Sequence, residues 1–227
     1  MRQIVLDTET TGLRFDTGHR VVEIGCVEIK NYVPTGRTFH TYLDPKRPMD
    51  PGAAQISGIT DELLIGKPEF RHIVDKFLHF IGESDFVIHN AAFDMGFLNG
   101  ELEKIGYAIL PMTRAIDTVK MAREKFPGSP ANLDALCRRF NIDLSMRTKH
   151  GALLDAKLLA EVYLQLCGGR QPDLDLHQHG GKRESVCVML HQRSFRPVRT
   201  FTLSEEEIEK HKAFVEKLNN PLWAKVS

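Results

Sequence analysis

The sequence predicts an α/β fold, a mixed sheet covered by helices, on three observations. Residues 2–43 alternate with the period of three successive strands. Residues 70–80 repeat apolar side chains at helical spacing, and from residue 86 short apolar runs and helical stretches take turns.

Taken in order, residues 3–7 form an apolar run, residues 21–30 alternate apolar with acidic positions, and residues 37–43 alternate again. Gly12, Gly18 and Gly36 punctuate these strands. A helical region opens near Pro51 and is clearest at Phe70, Ile73, Val74, Phe77, Leu78 and Ile81, a stripe expected to pack on the sheet. Residues 86–89 read as a short buried strand, and Asn90 offers an N-cap for a helix carrying Phe93, Phe97, Leu98 and Leu102. Further helices are expected over residues 117–126, 132–140 and 151–166. At Gly168-Gly169 the character changes, and the polar run from His177 to Lys182 reads as a connector. The expected division is therefore a domain over 1–168, a flexible linker over 169–183 and a small tail over 184–227. In the tail, 185–191 and 198–203 alternate like short strands, and Ser204 with Glu207 is a capping-box signature for a helix to about Asn219. A segment of that size seldom holds a unique fold alone, so a partner is expected.

The 227 residues suffice for one good core plus an appendage, and 42% hydrophobic with 26% charged residues is an ordinary globular composition. No apolar stretch is long enough to span a bilayer, and the early first strand leaves no room for a secretory leader. Cys26, Cys137, Cys167 and Cys187 are scattered without a C-x-x-C pair, which argues against a zinc site or disulfide framework and fits a reducing cytoplasm. Thirty Lys and Arg balance thirty Asp and Glu. A protein gripping many phosphates usually shows a basic excess, so any polynucleotide is held locally or delivered by a partner.

Asp7-Thr8-Glu9 closes the apolar run Ile4-Val5-Leu6. Strand alternation places both carboxylates on one face, where their repulsion is costly unless a hard cation such as Mg²⁺ or Mn²⁺ lies between them. Asp94, in Asn90-Ala-Ala-Phe-Asp94, falls in the first turn of the helix leaving the buried strand. It either reaches the same edge or serves only as a favourable acid at a helix N-terminus. His150-Gly-Ala-Leu-Leu-Asp155 adds a fourth acid and an imidazole. Five residues turn an ideal helix through roughly 500°, leaving the two side chains about 140° apart. His150 is therefore expected on a loop, either near a bound water or as a plain surface residue, with Asp155 one turn inside the helix.

These three blocks, D-x-E on a strand, N-x-x-F-D and H-x-x-x-x-D, stand in the order and settings of the DEDDh 3′–5′ exonuclease family, which the chain resembles. Within it, the likeness is nearest to the proofreading epsilon-subunit family of bacterial DNA polymerase III. It is carried by Arg2-Gln-Ile-Val-Leu-Asp-Thr-Glu-Thr-Thr-Gly12, Val87-Ile-His-Asn-Ala-Ala-Phe-Asp94, Asn132-Leu-Asp-Ala-Leu-Cys137 and His150-Gly-Ala-Leu-Leu-Asp-Ala156, over residues 2–169. The resemblance implies an RNase H-like fold with a five-stranded mixed sheet. It also implies hydrolysis of the 3′-terminal phosphodiester with two divalent ions, Mg²⁺ or Mn²⁺, releasing nucleoside 5′-monophosphates. In that scheme Asp7 bridges both ions, Glu9 and Asp155 complete the nucleophile-side ion, Asp94 holds the second, and His150 accepts the proton of the attacking water. Substrate contacts are implied for Thr8, Gly12, Leu13, Ile56, Ser57, His89 and Phe93. Leu13 reads equally as a core leucine and Phe93 as a core aromatic, while Ser57 stands where relatives often carry histidine.

Gln171-Pro-Asp-Leu-Asp-Leu176 resembles a sliding-clamp-binding motif, with Gln171 for a polar pocket and Leu174 and Leu176 for an apolar groove. Phe214, Leu218 and Trp223 are the implied polymerase contacts. The implied partners are DNA with a single-stranded or frayed 3′ end, the polymerase III catalytic alpha subunit, the beta sliding clamp and a small theta-like subunit, in a cytoplasmic, nucleoid-associated replisome. Two other readings stay open: an exoribonuclease trimming RNA 3′ ends, and a non-catalytic bridge between polymerase and clamp.

Overall fold

The computed structural model describes residues 1–145, 147, 149–169 and 203–218. The chain divides into two units, Met1–Leu176 and His177–Ser227. In the first, strands β1 (Arg2–Thr10), β2 (Val21–Lys30) and β3 (Val33–Tyr42) form an antiparallel meander. Strand β4 (Asp85–Ile88) joins the free edge of β1 in parallel, and β5 (Ala115–Asp117) pairs in parallel with β4. The sheet order is β3-β2-β1-β4-β5. It is a five-stranded mixed sheet, as the family resemblance implies.

Period-2 alternation divides the core into two layers. Ile4, Leu6, Ile24, Cys26, Phe86 and Ile88 pack with helices α3 (Phe70–Ile81) and α4 (Ala91–Lys104). Val5, Val27, Ile29 and Val87 pack on the other face with α5 (Thr118–Lys125), α6 (Leu133–Arg139) and α7 (Ala152–Leu166). Short helices α1 (Pro51–Ser57) and α2 (Asp61–Leu64) follow β3, and Ile59 and Leu64 close a small third cluster with Val22 and Met49. The buried carboxylate of Glu101 on α4 takes both Arg20 Nε and Nη2 at 2.6 Å, tying α4 to the start of β2.

Helix α7 lies unusually close to β2. A Cβ built on Gly25 would stand 2.2 Å from the Ala152 carbonyl carbon and 2.3 Å from the Leu153 nitrogen, so only glycine fits. Two residues away on β2, buried Glu23 accepts the Ala152 N–H at 3.1 Å. The helix has Gly151 at its N-cap and no side-chain cap of its own, so Glu23 satisfies an orphan N–H and places negative charge at the positive helix end.

Several expectations need correction. Strand β1 runs on to Thr10, and β3 begins at Val33, four residues earlier than its alternation suggests, through Pro34 and Gly36. An edge strand tolerates both residues because it lacks a second hydrogen-bonded neighbour. Strand β5 is only three residues long and falls beneath any periodicity signal. Asn90 precedes α4 but makes no side-chain cap. It adopts a left-handed conformation (φ 66°), and its N–H donates to Asp117 at 3.2 Å. In the second unit, α8 (Glu205–Val215) has the expected capping box between Ser204 and Glu207 but ends before Asn219. The strands expected over 185–191 and 198–203 lie outside the described residues, apart from Leu203, which is in no strand. So do the linker beyond Gly169 and the motif over 171–176.

Gly25→Ala tests the close approach of α7. Overpacking of this kind costs about 1–3 kcal/mol, and here the neighbours are backbone atoms of Ala152 and Leu153 rather than a movable side chain. Denaturant unfolding of the full chain is expected to show at least that loss, and an unchanged midpoint would mean that α7 yields freely.

Candidate active site

The site forms where β1 ends. Asp7 and Glu9 share the alternation of Val5 and so belong to the α7 face, while Thr8 belongs to the α4 face. Thr8 donates both its N–H (2.9 Å) and its hydroxyl (2.7 Å) to Asp94 Oδ1, fixing the acid in the first turn of α4. Asp155 lies in the first turn of α7, and His150 lies on the loop before it, its N–H held by Ile56 O at 3.3 Å. One ligand atom each from Glu9, His150 and Asp155 falls within 4.8 Å of the others.

Proton affinities record the crowding. Burial, then the charges of Asp94, Glu9 and Asp155, push Asp7 well above the usual carboxylate range. Glu9 is pushed up to about 8 by burial and then by Asp155 and Glu23. Both keep some surface open to the cleft, but the surrounding protein removes most of their hydration. Burial lifts Asp94 to about 7 against the two Thr8 hydrogen bonds that favour its charged form. Burial lowers His89, with Asp117 opposing.

The Arg147 guanidinium offsets these acids. Arg147 Nε donates to Asp155 Oδ1 and Nη2 to Asp155 Oδ2, each at 2.6 Å, and Nη1 reaches Asp134 on α6. Nη2 also lies 2.9 Å from His150 Nδ1. A guanidinium only donates, so Nδ1 must be the acceptor. The 3.2 Å approach of that nitrogen to Asp155 is then not a hydrogen bond.

Two clefts flank the acids. Thr8, Gly12, Leu13, Ile56 and Phe93 line one of about 410 Å³ together with Asp50–Gly52 of the α1 entry. Leu13 is 82% exposed and is no core residue, and Ile56 is 57% exposed. Phe93 serves both readings, lining the cleft and contacting Phe97 at 4.9 Å between ring centroids. At Gly12 a Cβ would stand 2.3 Å from the His19 ring, so a larger residue there has to push that ring aside. His89 lies in the second cleft, about 450 Å³, with Asp7, Asp134, Arg147, His150 and Asp155. Its Nδ1 is 2.9 Å from the Thr118 hydroxyl. Ser57 lines neither cleft. It is buried, donates to Ala53 O at 2.9 Å and accepts the Ile59 N–H at 3.2 Å, so its hydroxyl is spent inside the helix end.

Arg147 and Glu23 were not singled out from sequence. The signal for Arg147 was its place three residues before His150, and for Glu23 an acid opposite Glu9 in the strand register. The donor set suits a hard divalent ion. It consists of carboxylate oxygens and one imidazole, and burial with mutual repulsion raises the proton affinity of Asp7, Glu9 and Asp94, which positive charge at the site would relieve.

The raised acids set a pH dependence for metal-free protein. An unfolded glutamate releases its proton near 4.5, whereas folded Glu9 keeps it to about 8, so unfolding releases protons across that window and stability falls as pH rises. Melting midpoints in chelator are expected to decline from about pH 5 to about pH 8, and Glu9→Gln to flatten the decline. Midpoints that climb with pH would contradict the assignment.

The comparisons with known proteins agree with this geometry. The family described as Exonuclease matches residues 4–163. The chain is 47% identical over 219 residues to the DNA polymerase III subunit epsilon of Rickettsia felis, covering 95% of this chain and 96% of that one. It is 44% identical over 223 residues to the subunit of the same name from Escherichia coli (strain K12), covering 93% and 91%. Among solved structures, Exonuclease X in complex with 5′ overhanging duplex DNA superposes with a TM-score of 0.57 at 25% identity, over 73% of this chain and 91% of that one. By the motif blocks, the mixed sheet and these matches together, the chain belongs to the Exonuclease family and, within it, to the family of DNA polymerase III epsilon subunits.

Proposed function

We propose that this chain is the proofreading 3′–5′ exonuclease of a bacterial DNA polymerase III, hydrolysing the terminal phosphodiester of a DNA 3′ end and releasing a nucleoside 5′-monophosphate. The observation that carries it is the convergence of Asp7, Glu9, Asp94, Asp155 and His150 at one strand end, in a chain matching epsilon subunits over 95% of its length.

Divalent ions, Mg²⁺ or Mn²⁺, supply charge stabilisation and a nucleophile at neutral pH when bound. Asp7, Glu9, Asp94 and Asp155 would hold these ions, with Glu9 and Asp155 on the His150 side of the cluster. Thr8 acts by fixing Asp94 through its two hydrogen bonds. His150, with 47% of its side chain exposed, takes the proton from the attacking water. Leu13 and Ile56 present apolar surface beside Glu9 for the terminal base and sugar, with Gly12 and Phe93 completing that cleft. His89 borders the acids on the other side. An apolar cleft accepts any unpaired base, so selection falls on ends that fray, as mismatched ends do.

Phe214 and Leu218 on and beyond α8 are 60% and 37% exposed and, with Trp223, are assigned to the polymerase alpha subunit. Gln171, Leu174 and Leu176 are assigned to the beta clamp, and a theta-like subunit completes the partners. The setting is the cytoplasmic replisome.

A 5′-labelled primer-template with a paired or mismatched 3′ terminus, and an RNA strand of the same sequence, test the proposal. The mismatched DNA end is expected to be trimmed fastest. Asp7→Ala should lower kcat by on the order of 10³-fold or more, equivalent to several kcal/mol of lost charge stabilisation, and His150→Ala by about 10²- to 10⁴-fold. Preference for RNA would overturn the proofreading assignment, and no cleavage of either strand would leave a bridging role.

A further inference from the structure

Arg147 has no part in the reaction described above, yet it is the residue most deeply engaged with the acids. Its side chain is only 7% exposed and Asp155 only 4%. The guanidinium takes both oxygens of Asp155, and the same Nη2 faces His150 Nδ1. Its third arm is tethered to Asp134 of α6. A carboxylate buried this far needs a counter-charge, and among the described residues Arg147 supplies it.

We propose that Arg147 is an internal cation that competes with the divalent ion for Asp155, so that metal binding displaces the guanidinium and releases His150 in the same event. The inference rests on Asp155 being a metal ligand, as argued above. A bidentate guanidinium occupies one lone pair on each carboxylate oxygen in fixed geometry. A divalent ion placed on the same oxygens finds one lone pair left on each and meets the repulsion of the guanidinium seated beside it. Arg147 and His150 belong to one short loop, three residues apart, so leaving Asp155 also removes the donor from Nδ1. In the metal-free protein the fourth acid and the histidine are thus held by one group. Asp134, 44% exposed and lying outside the acid cluster of β1, is the outer anchor of that hold.

Mn²⁺ binding, followed through the spectroscopic signal of the free ion, gives a readout separate from turnover. Arg147→Gln is expected to bind Mn²⁺ about tenfold more tightly than wild type, the size of a charged hydrogen-bonded pair removed. Its melting point in chelator should drop while the upward shift on adding Mn²⁺ grows. Asp134→Asn loosens only the anchor and should move both readings the same way by less, which covers the case in which Arg147→Gln misfolds. Circular dichroism identifies the folded variants. Equal or weaker Mn²⁺ affinity in folded variants overturns the competition, leaving Arg147 as a support for the bound state. Absence of Mn²⁺ binding even in wild type overturns the metal assignment itself, and the proposal with it.

Discussion

The crowding of carboxylates at the end of β1 is the constraint around which the molecule is arranged. Glu9 and Asp155 have ligand atoms within 4.8 Å of one another, and two unit charges at that separation repel by about 3 kcal/mol at an effective dielectric of 20. With Asp7, Asp94 and Glu23 also close, the group cannot ionise fully without positive charge. Protons, a guanidinium and divalent ions are three ways of supplying it. A divalent ion brings more charge to such a group than a proton or a guanidinium does, so the crowding favours metal binding.

The sheet makes the crowding possible because its two faces feed one edge. Asp94 arrives on α4, packed against one face, and Asp155 on α7, packed against the other. Each helix is pinned near its active end. Thr8 holds the first turn of α4 through Asp94. Glu23 takes an N–H of α7, and the missing side chain of Gly25 admits that helix to the strand. The acids therefore owe their positions to short-range contacts with β1 and β2, the longest-paired strands of the sheet.

What could be read from sequence follows this division. Alternation in β1 and β2, the stripe of α3 and the loop placement of His150 depend on local periods, and all were legible. The five-residue separation of His150 and Asp155 fixed which would be on the loop. Contacts between elements were not legible. Gly25 looks like an interruption in a strand until α7 is seen against it, and Glu23 reads as one more exposed acid in an alternating run. Arg147 is an ordinary basic residue in a polar loop until its three arms are traced. Ser57 is ambiguous in sequence for the opposite reason. A small hydroxyl residue at a helix end is as able to bond its own backbone as a substrate, and here it does so.

The balanced charge of the chain bears on how such a site is used. Thirty basic and thirty acidic residues give no long-range attraction for a polyanion, and the acids at the mouth repel phosphates until cations cover them. An enzyme built this way is slow to find DNA on its own. On the proposed function, the search is made by the polymerase and its clamp, and a tether raises the local concentration of 3′ ends without new contacts at the site. Neutrality then becomes useful, because a nuclease that grips duplex weakly releases correctly paired ends. Discrimination is left to the cost of unpairing the terminus rather than to recognition of a base, in keeping with a cleft whose exposed side chains at Leu13 and Ile56 are apolar and offer no hydrogen bond to any base edge.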